Sequence, residues 1–284
     1  EPPHRLTNAA CEGCHVEVAS EHRASFHRVA FTDATYQASL ALEEPKDHAF
    51  CNGCHAPDGE QDGVGCIACH GATPRASRAS ATSPHALTVD PTFATERACE
   101  RCHQFEFNDG RPDLVQRTLE EHARSDLASS PCQQCHMAAR GPRRRHRFDS
   151  GHSLEWLRGS VKIVASRTTG GARIDLTAWA GHAFPTGDMF RRARLLVFGE
   201  REDGAIVASE ERVFGRTWGA DARGLRKELS DTRIRGHFAE DFALAGDAPI
   251  ARVRYVLLFE RVLAQRGGNA SLVSSDAIAE GLAE

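Results

Sequence analysis

The chain has no cysteine outside five copies of one short pattern, only two methionines and two tyrosines, and no long apolar run. A membrane-crossing helix needs about 20 consecutive apolar residues, so none is expected here. With only Met137 and Met189, thioether ligands cannot serve a series of metal centres. Met137 also follows His136 directly, so it cannot turn back to the opposite face of a group that His136 holds. Charge of neither sign dominates: 35 Lys and Arg stand against 39 Asp and Glu, which gives no sign of a nucleic-acid binder. No secretory leader is visible. The chain opens Glu1-Pro2-Pro3-His4, which reads as a mature end left by cleavage or as a trimmed start. Leu, Ile and Val are sparse up to residue 136, too sparse for that half to bury a core from its own side chains.

All ten cysteines fall in Cys-x-x-Cys-His. The five copies are Cys11 to Cys14 with His15, Cys51 to Cys54 with His55, Cys66 to Cys69 with His70, Cys99 to Cys102 with His103, and Cys132 to Cys135 with His136. This is the attachment pattern of c-type haem. Two thiols add to the porphyrin vinyl groups, and the adjoining His supplies one axial nitrogen to iron. Zinc sites use paired Cys-x-x-Cys motifs without requiring a His after each. A disulfide framework leaves the five adjacent histidines unexplained. Five covalently bound c-type haems are therefore expected. Because such attachment takes place outside the bacterial cytoplasm, the expected location is the periplasm or the cell surface.

Ten further histidines are available, and bis-His ligation of five haems needs only five. Most haems are then six-coordinate, low-spin and low-potential, with no open iron position. His22 and His27 lie five apart and do not share a helix face. His48 stands just ahead of Cys51 and is a reserve ligand candidate, as is His122. His85 sits in a loop between the third and fourth motifs, where a distal ligand is easily delivered. His146 and His152 flank Phe148 in a glycine-containing turn. For His4 and His237 a surface role is expected. Glu21-His22-Arg23-Ala24-Ser25 and Glu121-His122-Ala123-Arg124-Ser125 form an internal echo. Gly141 to Arg147 is a basic stretch, read as a solvated linker, a clamp for haem propionates, or both.

Short alternating or apolar runs start near Gly159: Val161 to Ala165, Ala172 to Trp179, Ala193 to Phe198, Ala205 to Ala208, Glu211 to Phe214 and Ala251 to Phe259. Glu202-Asp203-Gly204 reads as a hairpin turn. The expected fold class is α+β: a mostly helical and loop pentahaem domain over 1–155, then an antiparallel β-sandwich over 156–265. Residues 266–284 read as a tail, with Ser275 to Glu284 as a short exposed helix or a mobile end.

Several segments resemble the cytochrome c-554 family, whose small tetrahaem member accepts electrons from hydroxylamine oxidoreductase, and its larger relatives with a β-rich C-terminal domain. They are Cys11 to His15 with Ser25-Phe26-His27, Cys54-His55-Ala56-Pro57, Gly63-Val64-Gly65-Cys66 through His70-Gly71, and Cys132 to Met137. His146-Arg147-Phe148, Gly151-His152 and Gly181 to Gly187 extend the likeness. The resemblance implies electron transfer through closely packed haems. It implies His27 and His85 as distal ligands, and His146, His152 and His182 by the same logic. One haem of the small member is five-coordinate, and the resemblance carries that option too.

The expected function is electron carriage between other cytochromes rather than enzyme catalysis. A special case is a filament in which His4 or another spare His ligates a haem of the next copy. The alternative is a redox enzyme with one open haem acting on a small nitrogen compound or peroxide. It is disfavoured by the lack of any Cys-x-x-Cys-Lys and by the presence of only Tyr36 and Tyr255.

Overall fold

A computed structural model describes residues 7–71, 73–80, 83–106, 114–224, 226–246, 248–266 and 269–284. His4 lies outside them. The chain divides into two compact units: residues 1–111 with 129–152, and residues 112–128 with 153–284. The segment 112–128 thus leaves the span expected to be all haem domain and joins the second unit.

The first unit is a series of short helices: Asn8–Glu12, Val16–Arg23, Ala34–Leu40, His48–His55, Cys66–His70, Arg97–His103 and Cys132–His136. Local chemistry starts several of them. Thr7 accepts from the Ala10 amide, Asp33 from the Tyr36 amide, and Asp90 caps the turn Pro91–Ala94 by accepting from Thr92. These caps satisfy amides that a helix start leaves without carbonyl partners. Ala19 and Leu40 are the only apolar non-glycine side chains buried in this unit among the described residues. A unit this poor in buried apolar surface lacks the main driving force of folding.

The second unit is mainly antiparallel strands: β1 (Val161–Thr168), β2 (Gly171–Ala178), β3 (Arg192–Glu200), β4 (Ile206–Phe214), β5 (Arg216–Ala220), β6 (Arg226–Asp231), β7 (His237–Ala243), β8 (Arg252–Arg266) and β9 (Asn269–Leu282). They form a four-stranded sheet in the order β4-β3-β8-β9, a three-stranded sheet β7-β2-β1, and the hairpin β5-β6. Strand alternation decides what is buried. In β2, Ala172, Ile174, Leu176 and Ala178 face inward. In β3, Ala193, Leu195 and Val197 do the same. Phe242, Val253, Leu257, Phe259 and Ile278 join them in one apolar cluster fed by both sheets. Ile206 to Ala208 and Glu211 to Phe214, expected as separate runs, lie on one strand, and Gly204 makes the turn before it with φ 85°.

The segment 266–284, expected to be a tail, is instead largely strand β9, paired with β8 from Arg266↔Asn269 to Arg254↔Leu282. As the end of the chain, Ser275 to Glu284 read as a short exposed helix or a mobile end. The alternation that buries Ile278 is set by the partner strand and not by propensity. The chain end also bonds in this unit: Glu284 donates its amide to the Ala165 carbonyl and accepts from the Arg167 amide. Ile278→Ala is expected to cost the second unit about 2–5 kcal/mol, read from chemical denaturation. A tail residue would cost nothing.

Buried charges in this unit are paired. Glu200 lies between Arg252 and Arg254, at 2.7 Å from each. The bonds from Arg254 and Arg252 hold its carboxyl below the ordinary 4.5. A depressed folded-state value means stability that is present above the ordinary value and lost as pH falls through the depressed one. Glu200→Gln is therefore expected to lower the melting temperature at pH 7. The gap from the parent should narrow below about pH 4.5, which melts at pH 7 and pH 3 would check.

The segment 112–128 is tied down by a similar network. Arg117 bonds Glu228 and Asp231, and Glu121 pairs with Arg233. Glu121 also accepts from the Ala183 amide at 3.2 Å. No helix among the described residues is long and apolar enough to cross a membrane.

Candidate haem-binding site

Each Cys-x-x-Cys-His occupies about one helical turn, which brings two thiols and an imidazole to one side of the backbone. The first lies at the end of Asn8–Glu12, with the amides of Cys14 and His15 both donating to the Cys11 carbonyl. The second ends His48–His55 and the fourth ends Arg97–His103. The third and fifth are the helices Cys66–His70 and Cys132–His136 themselves. No disulfide joins any of the ten cysteines.

Supports that the sequence reading missed hold the third motif. Asn8 accepts from the Cys66 amide at 2.8 Å, and Asp58 from the Ala68 amide at 2.8 Å. Gly65 is required there, because a Cβ would sit 2.1 Å from the Asn8 side chain. Gly63 has φ 58° and passes against the His27 carbonyl. The Gly-x-Gly before Cys66 was the available signal.

The motifs neighbour one another. The thiols of Cys54 and Cys102 share a hydrogen bond, as do those of Cys99 and Cys132. The charge of Cys11 reaches Cys66, and that of Cys69 reaches Cys99 and Cys102. The fourth motif therefore adjoins the second, third and fifth, and the third adjoins the first.

Three motif histidines face a histidine from elsewhere in the unit. Ring centres are 6.3 Å apart for His15 and His85, 6.4 Å for His103 and His27, and 6.3 Å for His70 and His146. The planes cross at 63°, 57° and 23° respectively. An atom ligated by two imidazoles at about 2 Å each, with each ring centre roughly 1 Å further out, sets the centres about 6 Å apart. The spacing fits a shared iron.

Hydrogen bonding fixes the tautomers in the same sense. Nδ1 of His70 faces the Arg75 carbonyl at 2.9 Å, that of His146 the Arg144 carbonyl at 2.9 Å, and that of His85 the Ala86 carbonyl at 3.0 Å. A Nδ1–H donated to backbone leaves Nε2 as the lone pair that binds metal. Burial holds His27 down to about 3 and lowers His103, His70 and His146. They are therefore neutral, the ligating form.

The remaining candidates fall elsewhere. His136 sets Nδ1 2.7 Å from the Asp149 carbonyl, and His55 sets its own 3.2 Å from the Ala30 carbonyl. Tyr36 stacks on His55 at 3.9 Å and donates to Asn52. His152 stacks on Phe26. His48 is half-buried at the helix start, with Nε2 3.3 Å from the Glu43 carbonyl. His22 is buried and sets Nε2 2.9 Å from the Val64 carbonyl. In the second unit, Nδ1 of His122 faces the Gly181 carbonyl at 2.8 Å, and its buried Nε2 has no hydrogen-bond partner. His182 sets Nδ1 3.2 Å from the Ala183 carbonyl. His237 is exposed beside Asp175.

The basic stretch is held within its own unit. Arg143 bonds Glu17 and Glu21, Arg140 bonds Glu21, and Arg144 donates to the Gln133 carbonyl. These bonds, that from Arg143 foremost, pull Glu21 down to about 2.

No protein-family model matches the chain, and no curated protein matches it. Among solved structures it resembles a penta-heme cytochrome c552 from Thermochromatium tepidum. The TM-score is 0.76 at 19% sequence identity, over 99% of this chain and 100% of that one. The two chains share a fold along their whole length.

Proposed function

We propose that the chain is a pentahaem c-type cytochrome that passes electrons along closely packed haems outside the cytoplasm. The observation that carries this reading is the set of three imidazole pairs, each joining a motif His to a distant His at the spacing a shared iron needs. The structural neighbour is a penta-heme cytochrome, which supports the same count.

In this reading the ten motif cysteines form the thioethers, and His15, His55, His70, His103 and His136 are the proximal ligands. His85, His146 and His27 are the distal ligands opposite His15, His70 and His103. His152 is proposed as a further ligand in the first unit. His182 and His122 are proposed on their chemistry alone, Nδ1 being turned to a backbone carbonyl in each. His122 has the stronger claim because its Nε2 is buried without a partner.

When bound, the haems supply one-electron chemistry, iron alternating between ferric and ferrous. The protein's task is to hold and insulate. An imidazole held on each side would leave no position for a substrate and would keep potentials low without a thioether ligand. Phe93 packs edge-on to His70 at 4.9 Å, and Phe148 lies against His27 at 4.4 Å. Both shield the ligand rings from water. With the fourth motif adjoining three others, the route is proposed to branch at the haem of His103. The two sheets are proposed to form a sandwich, and the redox partners to be other cytochromes.

Intact-mass measurement should give five haem additions, and the oxidised protein should be wholly low-spin and indifferent to nitrite and cyanide. Fewer than five additions would sink the pentahaem reading. A high-spin fraction that binds nitrite would favour an open-haem enzyme.

A further inference from the structure

The helix Val16–Arg23 carries Glu21, whose side chain is 11% exposed. Its carboxylate accepts four hydrogen bonds from the stretch 140–146. Three are guanidinium contacts: Arg140 at 2.9 Å, and Arg143 at 2.8 Å and 3.1 Å to the two oxygens. The fourth is the backbone N–H of His146 at 2.9 Å. That last bond fixes the main chain of the residue whose ring stands opposite His70. The ring is fixed a second time by its Nδ1 bond to the Arg144 carbonyl. Two anchors on one residue leave its Nε2 little freedom to swing.

The same device recurs in the second unit. Glu121 stands in the echoed Glu-His-x-x-Ser, and its buried carboxylate takes Arg233 and the backbone N–H of Ala183, next to His182. Each helix closes alike: Ser25 donates its amide to the His22 carbonyl, and Ser125 to that of His122. In both copies one glutamate joins an arginine and a main-chain amide beside a candidate ligand.

We propose that Glu21 is a positioning residue for the distal imidazole of the third motif, acting through the His146 backbone N–H. This rests on the assignment of His146 as a ligand opposite His70. A carboxylate suits the role because it satisfies the guanidiniums and the amide together, and bonds to a charged acceptor are the stronger kind. Outer-shell groups of this type orient metal ligands in general.

The test uses the haem-loaded protein and its ferric paramagnetic resonance. Among the three assigned pairs, His70 and His146 alone have nearly parallel planes. Their iron should therefore differ in anisotropy from the crossed pairs. His146→Ala identifies that component, about one fifth of the iron. Glu21→Ala is expected to shift the same component and leave the other four. Glu21→Gln should restore it, since the amide oxygen still accepts from His146. Arg143→Ala should also leave it in place. If Glu21→Ala gives no loaded protein, Glu21→Asp replaces it: the charge stays but the carboxylate is one methylene short, and the component should shift. An unshifted component in the Ala or Asp variant, or no recovery in Gln, overturns the proposal. If His146→Ala itself changes nothing, the ligand assignment falls and the positioning role with it. If His146→Ala removes the component and Glu21→Ala does not move it, only the positioning role falls.

Discussion

Produced without haem, the chain should keep a folded second unit and lose the first. The argument is one of buried apolar surface. In the first unit only Ala19 and Leu40 are buried apolar side chains among the described residues, apart from glycine. Its helices are five to eight residues long, well under the length of about 12–15 at which isolated helices become even marginal in water. The ordering entropy of the chain then has nothing to offset it except the porphyrins. The second unit has its own cluster around Ile174, Leu195, Leu257 and Phe259. Amide exchange should be fast across residues 8–70, and slower by orders of magnitude across 193–198 and 253–259. Limited proteolysis should leave a resistant fragment spanning roughly residues 153–284. A protected helical first unit in haem-free protein would contradict this account.

The second large effect is expected from His27→Ala in the loaded protein. His27 is half-buried opposite His103. Removing it should open one axial position, turn about one fifth of the iron high-spin, and let that fraction bind cyanide. Its potential should rise, because the ferric state loses a strong nitrogen donor. His48→Ala is the control. His48 has its Nε2 beside the Glu43 carbonyl and should leave the spectrum unchanged. A wholly low-spin spectrum from His27→Ala would remove the pairing of His27 with His103.

The five Cys-x-x-Cys-His turns were legible in the sequence because their pattern is local. Two thiols and an imidazole within five residues lie on one helical turn, and no distant contact is needed to bring them together. The β-rich character of the second half was legible for a similar reason: alternation in Ala172 to Ala178 and Ala193 to Val197 directly records which side is buried. Strand β9 was not legible. Its Ala and Ser residues suit a helix or a tail, and only pairing with β8 decides otherwise. Nor was the return of 112–128 to the second unit, which depends on Glu121 and Arg117 meeting Arg233, Glu228 and Asp231 more than a hundred residues on.

By itself, then, the sequence determined that the chain carries five Cys-x-x-Cys-His turns, where the imidazole of each lies along the chain, and that its first half lacks a core of its own. It could only rank the distal histidines, since any His in a loop looks like any other. The tertiary structure decided which rings meet. It placed His85, His27 and His146 opposite His15, His103 and His70 across sequence gaps of 70 to 76 residues. The physical reason is that such a ring pair is a long-range contact: nearby carbonyls aim His85 and His146, but only the folded chain brings each ring opposite its partner.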